Sequence, residues 1–274
     1  MLDLIVIGSG PAGVSAAITA RARGKSVLII SNPAADSGLY KAPVVDNYPG
    51  LPGISGAELC NRLTAHAESL GAKLRMGRVT SILPMGETFS VAFSNDFATA
   101  RAVILALGTV QTKVFDGEAE LLGRGVSYCA TCDGMLYRQR KVVVAALAPD
   151  AHAEAEHLRK IGCEVTEITP KSARILGTDH VVGIEADGET LDCDAIFILR
   201  QSIAPSALLA GMDVRDGHLV VDSHYRVSVN GTFTPGIYAA GDCIGKPHQI
   251  AKAIGEGQTA TFSAMEFADK GENT

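Results

Sequence analysis

The chain has 274 residues, 47% of them hydrophobic and 20% charged, so it carries enough apolar material for a core and is long enough for two domains. Its formal net charge of −6, the absence of tryptophan and an aromatic content of only 5% argue against a nucleic-acid partner. No apolar stretch reaches the roughly 18 residues that a membrane helix needs, and the N-terminus reads as a strand, not as a signal peptide.

The first part of the chain alternates between strand-like and helix-like patterns. Short hydrophobic runs bounded by turn residues favour strands, and longer segments with apolar residues three or four positions apart favour helices. In chain order we predict a strand at 2–7, a helix at 14–23, a strand at 27–30, an irregular segment at 32–56, a helix at 56–70, a hairpin at 74–92 and a strand at 102–106. The opening strand, turn, helix and strand form a βαβ unit.

A second βαβ pattern begins near residue 141. In chain order we predict a strand at 141–147, a helix at 150–161, strands at 164–168, 180–186, 195–199, 218–221 and 234–242, and a helix at 249–268. The two βαβ starts indicate an α/β protein with two Rossmann-like domains of the three-layer ββα type.

A glycine-rich motif, GSGPAG, connects the first strand to the first helix. Gly8 permits the tight turn, Gly10 allows backbone N–H groups to approach a pyrophosphate, and Gly13 allows close packing of the helix on the strand. The helix N-terminus adds its dipole to such an anion site. The motif in this βαβ context predicts a dinucleotide site.

Several features expected of nucleotide binding are missing elsewhere. Ser31 and Asn32 stand where an acid would bind a ribose hydroxyl in the first unit. In the second unit the corresponding turn, 146–151, has no glycine, and Pro149 removes a backbone donor. The following strand ends at 169–171 (TPK) instead of an arginine cluster that could hold a 2′-phosphate. We therefore expect an intact Rossmann-like domain there without a normal NAD(P)H site.

Cys129 and Cys132 form a CxxC pair followed directly by Asp133. A structural zinc would need further ligands, but the other four cysteines are scattered and the seven histidines show no ligand spacing, so a redox disulfide is favoured over a metal site. Asp133 beside the pair could donate or accept a proton, or cap a helix. One close pair among six cysteines does not suggest a secreted disulfide scaffold, so we expect a reducing cytoplasm and buried, structural Cys60, Cys163 and Cys193.

A third motif lies near the end of the chain, where an apolar strand ends in Gly241-Asp242 and a glycine-proline loop leads into the last helix. Asp242 could accept a hydrogen bond from a ribityl hydroxyl, and the helix N-terminus could face an electron-accepting carbonyl of a flavin. Together with GSGPAG at the other end of the chain, the motif favours a flavin site.

Five segments taken together resemble the low-molecular-weight thioredoxin reductases. The segments are GSGPAG (8–13), VVDNYPG (44–50), LALG (105–108), GRGVSYCATCDG (123–134) and GIYAAGDC (236–243). The resemblance covers nearly the whole chain. It implies a discontinuous FAD domain, 1–113 and 222–274, with a redox-disulfide domain, 114–221, inserted between its parts. It also implies a homodimer formed through the FAD domains.

The resemblance further implies roles for individual residues. Cys132 would contact the flavin, Cys129 would attack thioredoxin, and Asp133 would be the acid–base group. Gly8, Gly10 and Gly13 would hold the FAD pyrophosphate, Asn47 would lie beside the isoalloxazine, Asp242 would bind the ribityl-phosphate region, and Gln249 and Ile250 would lie near the flavin edge. The other expected FAD-binding residues are Pro11, Ala12, Gly108 and Gly241.

The departures at 146–151 and 169–171 make the chain similar to the ferredoxin-dependent flavin thioredoxin reductases. We therefore expect an FAD-dependent disulfide oxidoreductase that reduces thioredoxin with electrons from ferredoxin. One alternative is a flavin-dependent dithiol oxidase that passes electrons to oxygen, a reaction that also needs no NADPH. Another is a flavin-binding regulator without turnover.

Overall fold

The computed structural model describes residues 1–94, 96–109, 115–118, 120–128, 130–148, 151–200 and 205–270, without the side chains of residues 36, 131, 132 and 206. The chain divides into two compact units, one formed by Met1–Gln111 with Ala204–Thr274 and the other by Thr112–Ile203. No helix in these described ranges has both the length and the apolar character needed to cross a bilayer.

The first unit starts with the predicted βαβ arrangement. Its elements up to residue 105 are β1 (Leu2–Ile7), α1 (Pro11–Ala22), β2 (Val27–Ser31), α2 (Gly56–Ser69), β3 (Lys73–Met76), β4 (Val79–Met85), β5 (Thr88–Phe93) and β6 (Asp96–Leu105). β1 lies between β2 and β6 and is parallel to both, and its Leu4, Ile5 and Val6 are fully buried. A strand covered on both faces in this way needs a nearly continuous apolar sequence.

The second unit contains two sheets and one main helix. Its elements are β7 (Val126–Ser127), α3 (Ala130–Asp133), β8 (Lys141–Leu147), α4 (Ala151–Lys160), β9 (Glu164–Ile168), β10 (Ala173–Gly177), β11 (Val181–Ala186), β12 (Glu189–Asp192) and β13 (Ala195–Arg200). The parallel sheet has the order β7-β13-β8-β9, and β10, β11 and β12 form an antiparallel sheet. One buried cluster lies between the two sheets and a second lies between the parallel sheet and α4. These layers confirm the predicted ββα type.

The chain then returns to the first unit. The remaining elements are α5 (Pro205–Leu208), β14 (Val214–Arg215), β15 (His218–Leu219), β16 (Arg226–Val229), β17 (Thr232–Ala239) and α6 (Ile250–Lys270). β17 pairs in parallel with β6, so the sheet runs β16-β17-β6-β1-β2-β3, with β5 attached antiparallel to β6 and β4 to β5. α6 packs closely on α1 through small residues, among them Ala16, Ala17 and Ala260, all fully buried.

Strands β10, β12 and β16 were not predicted, and two further details differ from the predicted pattern. The hairpin expected at 74–92 is shorter, because β3 pairs in parallel with β2 and only β4 and β5 form the hairpin. The second domain boundary, expected between 221 and 222, lies between 203 and 204. The reason is that the segment after α5 bonds to β16: the Asp213 amide donates to the Ser228 carbonyl at 2.9 Å, and the Ser228 hydroxyl donates to the Asp213 carboxylate at 2.5 Å.

Candidate active site

The GSGPAG turn has the geometry that a bound pyrophosphate requires. Gly8 adopts φ +109°, and a Cβ there would lie 2.2 Å from the carbonyl oxygen of Ala106. A Cβ at Gly13 would lie 1.9 Å from the carbonyl oxygen of Gly8. In contrast, a Cβ at Gly10 would meet nothing within 4 Å. Gly8 and Gly13 are therefore needed for packing, whereas Gly10 keeps open space in front of the helix.

The predicted turn residues Pro11 and Ala12 form the first turn of α1, with Pro11 at a position where a missing N–H costs no helical hydrogen bond. Ala12 is buried, and its carbonyl oxygen would lie 2.1 Å from a Cβ at Gly257 of α6. The close approach of α6 holds the first turn of α1 in place, so the backbone N–H groups of this turn can face a phosphate.

The next predicted residues come together although they lie far apart in the sequence. The Asn47 side-chain amide donates to Oε1 of Gln249 at 2.8 Å, and both residues are exposed. Ile250 begins α6 and packs against a small buried cluster that includes Val45 and Ile54. The loop that carries Asn47 is therefore tied to the start of α6 by a polar and an apolar contact.

Gly241 and Asp242 follow β17 as predicted. Gly241 adopts φ +86°, and its N–H donates to Oε2 of Glu256 at 3.0 Å. Lys252 donates to the same carboxylate at 3.0 Å and to the carbonyl oxygen of Gly245 at 2.9 Å. The sequence analysis missed Glu256 and Lys252, although their i,i+4 spacing on a predicted helix is a recognisable signal. This network fixes the loop that carries Asp242 on α6.

Two further residues border this region. The predicted Gly108 adopts φ +70°, and a Cβ there would meet nothing within 4 Å. Cys243 is fully buried, and its thiol donates to the carbonyl oxygen of Ala240 at 3.3 Å. Burial raises the pKa of the Cys243 thiol to about 12. Cys243 is therefore a protonated packing residue.

A cavity of about 290 Å³ opens beside the GSGPAG turn. Its lining comes from the turn, from the segment after β2, from α2 and from β3: Ser9, Ala34, Asn61, Thr64, Ala65, Glu68, Leu74 and Met76. Its volume lies at the lower limit of the roughly 300–1,000 Å³ typical of small-molecule sites. It can hold one end of a dinucleotide and not the whole molecule.

The CxxC segment lies in the second unit. Cys129 falls outside the described residues, and Cys132 belongs to the short helix α3, with its side chain outside the description. Asp133 is half-buried, and Oδ2 of its carboxylate accepts a hydrogen bond from the hydroxyl of Ser127 at 2.7 Å. The carboxylate makes no cap bond to the following helical turn. Asp133 therefore has a side-chain partner on the strand that leads into the cysteine pair.

Two carboxylates from other elements approach the same segment. Oε2 of Glu154, on α4, accepts a hydrogen bond from the amide of Ala130 at 3.1 Å. Glu118 is fully buried, forms an ion pair with Arg200 and accepts a hydrogen bond from the hydroxyl of Tyr128 at 2.8 Å. Burial first, and the charge of Glu118 second, raise the pKa of Tyr128 above its usual range. The sequence analysis identified neither carboxylate, because their partners are distant in sequence.

The segment of the second unit that corresponds to GSGPAG, residues 146–151, contains no glycine. Ala146 and Leu147 end β8, Ala148 follows the strand, Ala151 begins α4, and residues 149 and 150 lie outside the description. The described residues of this segment therefore carry Cβ atoms where the first unit has glycines. Further along, at the predicted 169–171 segment, the backbone amide of Lys171 donates to the carboxylate of Asp187 at 3.1 Å.

A carboxylate lies near the end of β9 in the same region. Glu167 accepts from Arg159 at 2.7 Å and interacts with Nδ1 of His152 at 3.1 Å. Burial opposes ionisation of Glu167, but the hydrogen bonds from His152 and Arg159 outweigh it and lower its pKa. Glu167 thus forms an ion pair with Arg159, whereas a 2′-phosphate would need that guanidinium unpaired.

Comparison with known proteins supports the resemblance. The profile of the pyridine nucleotide-disulphide oxidoreductase family matches residues 2–178 and 145–257. A thioredoxin reductase of Treponema pallidum (strain Nichols) is 32% identical over 99% of this chain and 98% of its own. A ferredoxin-flavin thioredoxin reductase of Clostridium acetobutylicum is 36% identical with a TM-score of 0.85, and the match covers 100% of this chain and 99% of that one.

A third relative also matches this chain over nearly its whole length. The atypical thioredoxin reductase of Desulfovibrio vulgaris Hildenborough matches 98% of this chain and 99% of its own, with 27% identity and a TM-score of 0.71. These matches run through both units and confirm the resemblance to the low-molecular-weight thioredoxin reductases. The chain belongs to the pyridine nucleotide-disulphide oxidoreductase family, as a flavoprotein homologue of the thioredoxin reductases.

Proposed function

We propose that the protein is an FAD-dependent disulfide oxidoreductase that reduces thioredoxin through Cys129 and Cys132 with electrons from reduced ferredoxin. One contrast between the two units carries the proposal. The first unit has an open, glycine-lined dinucleotide turn, whereas the second unit, which contains the CxxC pair, has no glycine at the corresponding positions 146–151.

The first unit has residues that fit FAD. The open space at Gly10 and the N-terminus of α1 suit a pyrophosphate, while Asp242 and the Asn47–Gln249 pair offer polar groups for the flavin end. When bound, FAD accepts single electrons from a carrier and delivers a pair of electrons to a disulfide. The residues of the chain bind and orient the cofactor and handle the protons.

The CxxC pair would transfer the electrons to thioredoxin by thiol–disulfide exchange. The Cys129 thiolate attacks one sulfur of the thioredoxin disulfide, which forms a mixed disulfide and releases one thioredoxin thiolate. Cys132 then attacks the Cys129 sulfur, which releases the second thioredoxin thiolate and closes the Cys129–Cys132 disulfide. Two electrons move to thioredoxin, and Asp133, positioned by Ser127, exchanges the accompanying proton.

An exposed apolar surface next to the pair supports a protein substrate. Met135 and Leu136 follow Asp133 and Gly134 directly and are 61% and 76% exposed. Large apolar side chains that remain exposed beside a reactive group often mark a protein interaction site. Their position favours a folded disulfide protein over a small dithiol as the substrate.

The donor is inferred from the second unit. Ala146, Leu147 and Ala151 stand where a nicotinamide dinucleotide needs glycines, and Glu167 forms an ion pair with Arg159, so the described part of this region suits a nicotinamide dinucleotide phosphate poorly. A one-electron protein carrier needs no such site. The similarity to a ferredoxin-flavin thioredoxin reductase supports ferredoxin as that carrier.

Two finer expectations belong to this proposal. The four described cysteines are free thiols and all are buried, which suits a reducing cytoplasm. We also expect a homodimer formed through the first unit, as the resemblance implies. Light scattering of the FAD-loaded protein would measure its mass, and a monomer at micromolar concentration would contradict the dimer.

Anaerobic reduction of the purified flavoprotein tests the donor. We expect reduced ferredoxin to bleach the long-wavelength flavin absorbance rapidly, whereas NADPH and NADH leave it unchanged on the same timescale. Rapid bleaching by NADPH would show that the second unit binds a nicotinamide and would contradict the proposal. Peroxide formed in stoichiometric amounts on rapid reoxidation by air would instead indicate a dithiol oxidase.

Substitution of the cysteines tests the transfer to thioredoxin. Cys129→Ser and Cys132→Ser should each abolish thioredoxin reduction and leave FAD bound. Cys60→Ser changes a buried cysteine of the first unit and serves as the matched control, so it should reduce thioredoxin normally. Thioredoxin reduction by either CxxC variant at the native rate would remove the pair from the reaction.

A further inference from the structure

Ser31 stands where a dinucleotide-binding unit usually has the acid that binds the ribose, and its hydroxyl has no remaining capacity for a ligand. It accepts hydrogen bonds from the amide of Ser9 at 3.2 Å and from the hydroxyl of Ser9 at 2.9 Å. It donates to the carbonyl oxygen of Asn32 at 2.9 Å. A hydroxyl offers one donor and two acceptor sites, so all three are in use. The Ser31 hydroxyl at the end of β2 therefore binds the GSGPAG turn and has no acceptor site left for a ribose hydroxyl.

The cavity beside this turn contains a carboxylate from a different element. Ser9 forms one edge of the cavity, and Glu68, in the last turn of α2, forms another. Asn61 and Thr64 line the cavity from the same helix, and the positions 61, 64 and 68 are spaced so that they share one helix face. Carbon atoms of Ala34, Leu74 and Met76 complete the wall. The lining thus combines a polar helix face with an apolar wall.

We propose that α2 binds the adenosine end of FAD, with Glu68 as the hydrogen-bond acceptor that replaces the missing acid after β2. This inference rests on the proposed FAD function and identifies residues that recognise the cofactor. Adenosine presents donors only at its ribose hydroxyls and its exocyclic amino group, and a carboxylate accepts from either. Leu74 and Met76 offer apolar side chains for contact with the purine, and Met76 is 54% exposed in the absence of a ligand.

The position of Glu68 agrees with the phosphate site. The pyrophosphate faces the N-terminus of α1 at Gly10, and the cavity begins at Ser9, the neighbouring residue. The adenosine leaves the pyrophosphate on the side of Ser9 and reaches α2, while the flavin extends towards Asn47 and Gln249. A carboxylate placed on α2 avoids the phosphates, whose negative charge would repel it.

Titration of the apoprotein with FAD, followed by quenching of flavin fluorescence, tests the proposal. Glu68→Ala should raise the dissociation constant for FAD by about tenfold, because one hydrogen bond to a charged acceptor is lost, and Glu68→Gln should give an intermediate value. Glu58→Gln is the matched control, because Glu58 lies on the same helix but pairs with Arg62 outside the cavity. It should bind FAD as the native protein does.

The outcomes separate this inference from the proposed function. A Glu68→Ala protein that binds FAD with the native dissociation constant overturns the role of Glu68 and leaves the FAD function intact. A lowered thermal midpoint of the Glu68→Ala apoprotein would assign the effect to folding and would equally overturn it. A native protein that does not bind FAD at all would overturn the proposed function instead. Weaker FAD binding with an unchanged apoprotein midpoint supports the assignment.

Discussion

The side-chain amide of Asn47 donates a hydrogen bond to Oε1 of Gln249 at 2.8 Å, although 202 residues separate them. The bond joins the long loop after β2 to the start of α6. Within the loop, a short bridge joins Val45 and Ile54 near this point. The Asn47–Gln249 contact therefore fixes two chain segments that we place at the flavin end of the cofactor.

A double-mutant cycle measures this contact in cofactor binding. Asn47→Ala and Gln249→Ala should each weaken FAD binding, and the double variant should lose less than the sum of the two, with a coupling of about 0.5–1 kcal/mol. FAD titration of the four apoproteins provides the measurement. Strictly additive effects would show that the two side chains act independently, which the observed contact does not predict.

The buried Glu118 should dominate the stability of the second unit. Its carboxylate is fully buried and forms a two-pronged ion pair with Arg200, while the Phe115 amide and the Tyr128 hydroxyl each donate to it at 2.8 Å. Glu118→Ala removes a buried ion pair with Arg200 together with the hydrogen bonds from Phe115 and Tyr128, so we expect a loss of about 3–5 kcal/mol of unfolding free energy.

Urea unfolding, followed by a probe in the second unit, checks this value. The control is Arg62→Ala, which breaks an exposed i,i+4 pair with Glu58 and should cost no more than about 0.5 kcal/mol. Equal losses in the two variants would mean that the buried network adds nothing beyond a surface ion pair.

Glu154 should tune the reactivity of the CxxC pair. Its carboxylate accepts from the amide of Ala130, the residue that follows Cys129, so a negative charge lies within one peptide unit of that cysteine. A nearby negative charge disfavours a thiolate. Glu154→Gln keeps an acceptor but removes the charge, and it should speed alkylation of the cysteine pair at neutral pH several-fold.

Iodoacetamide alkylation of the reduced protein as a function of pH measures the effect. Glu156→Gln is the matched control, because Glu156 lies on the same helix and pairs with Arg159. An alkylation profile of Glu154→Gln that coincides with that of the control would contradict the electrostatic influence. Other charged or titratable groups lie near the CxxC segment and are unchanged in both variants: Asp133, Tyr137 and the Glu118–Arg200 pair.

Acid stability should depend on Asp222. Burial opposes its ionisation, but hydrogen bonds from Arg226 and from the amide of His224 outweigh that effect and lower its pKa. A carboxyl group whose pKa is lower in the native than in the unfolded protein stabilises the fold at any pH above its unfolded pKa, about 3.9 for aspartate. This stabilisation is lost as the pH falls through the native pKa. Stability should therefore fall below about pH 4, and Asp222→Asn should flatten that fall.

Unfolding by urea between neutral and acidic pH provides the test. The control is Glu266→Gln, whose carboxylate is 70% exposed and pairs with Lys270 at the protein surface. It should leave the pH dependence almost unchanged. The same slope in Asp222→Asn as in the native protein would assign the acid sensitivity to other carboxylates.

The sequence predicted the features that depend on local pattern and missed those that depend on distant partners. The glycine turn and the strands around it follow from short-range chemistry, and both appear at the expected residues. The contact of Glu154 with Ala130 and that of Glu118 with Arg200 could not be assigned in advance, because the partners lie 24 and 82 residues away. The second domain boundary was predicted too far along the chain for the same reason, because Asp213 is bonded to Ser228, which lies 15 residues later in the sequence.

The contact between α1 and α6 gives the sharpest test of close packing. A Cβ at Gly257 would lie 2.1 Å from the carbonyl oxygen of Ala12, whereas a Cβ at Gly255, on the same helix, would meet nothing within 4 Å. Gly257→Ala must push α6 away from the first turn of α1, so we expect a loss of about 1–3 kcal/mol in stability and weaker FAD binding. Gly255→Ala should instead stabilise the exposed helix position by about 0.5–1 kcal/mol. Thermal unfolding and FAD titration of the two variants measure both effects, and a Gly257→Ala protein as stable as Gly255→Ala would show that the helices can separate without cost.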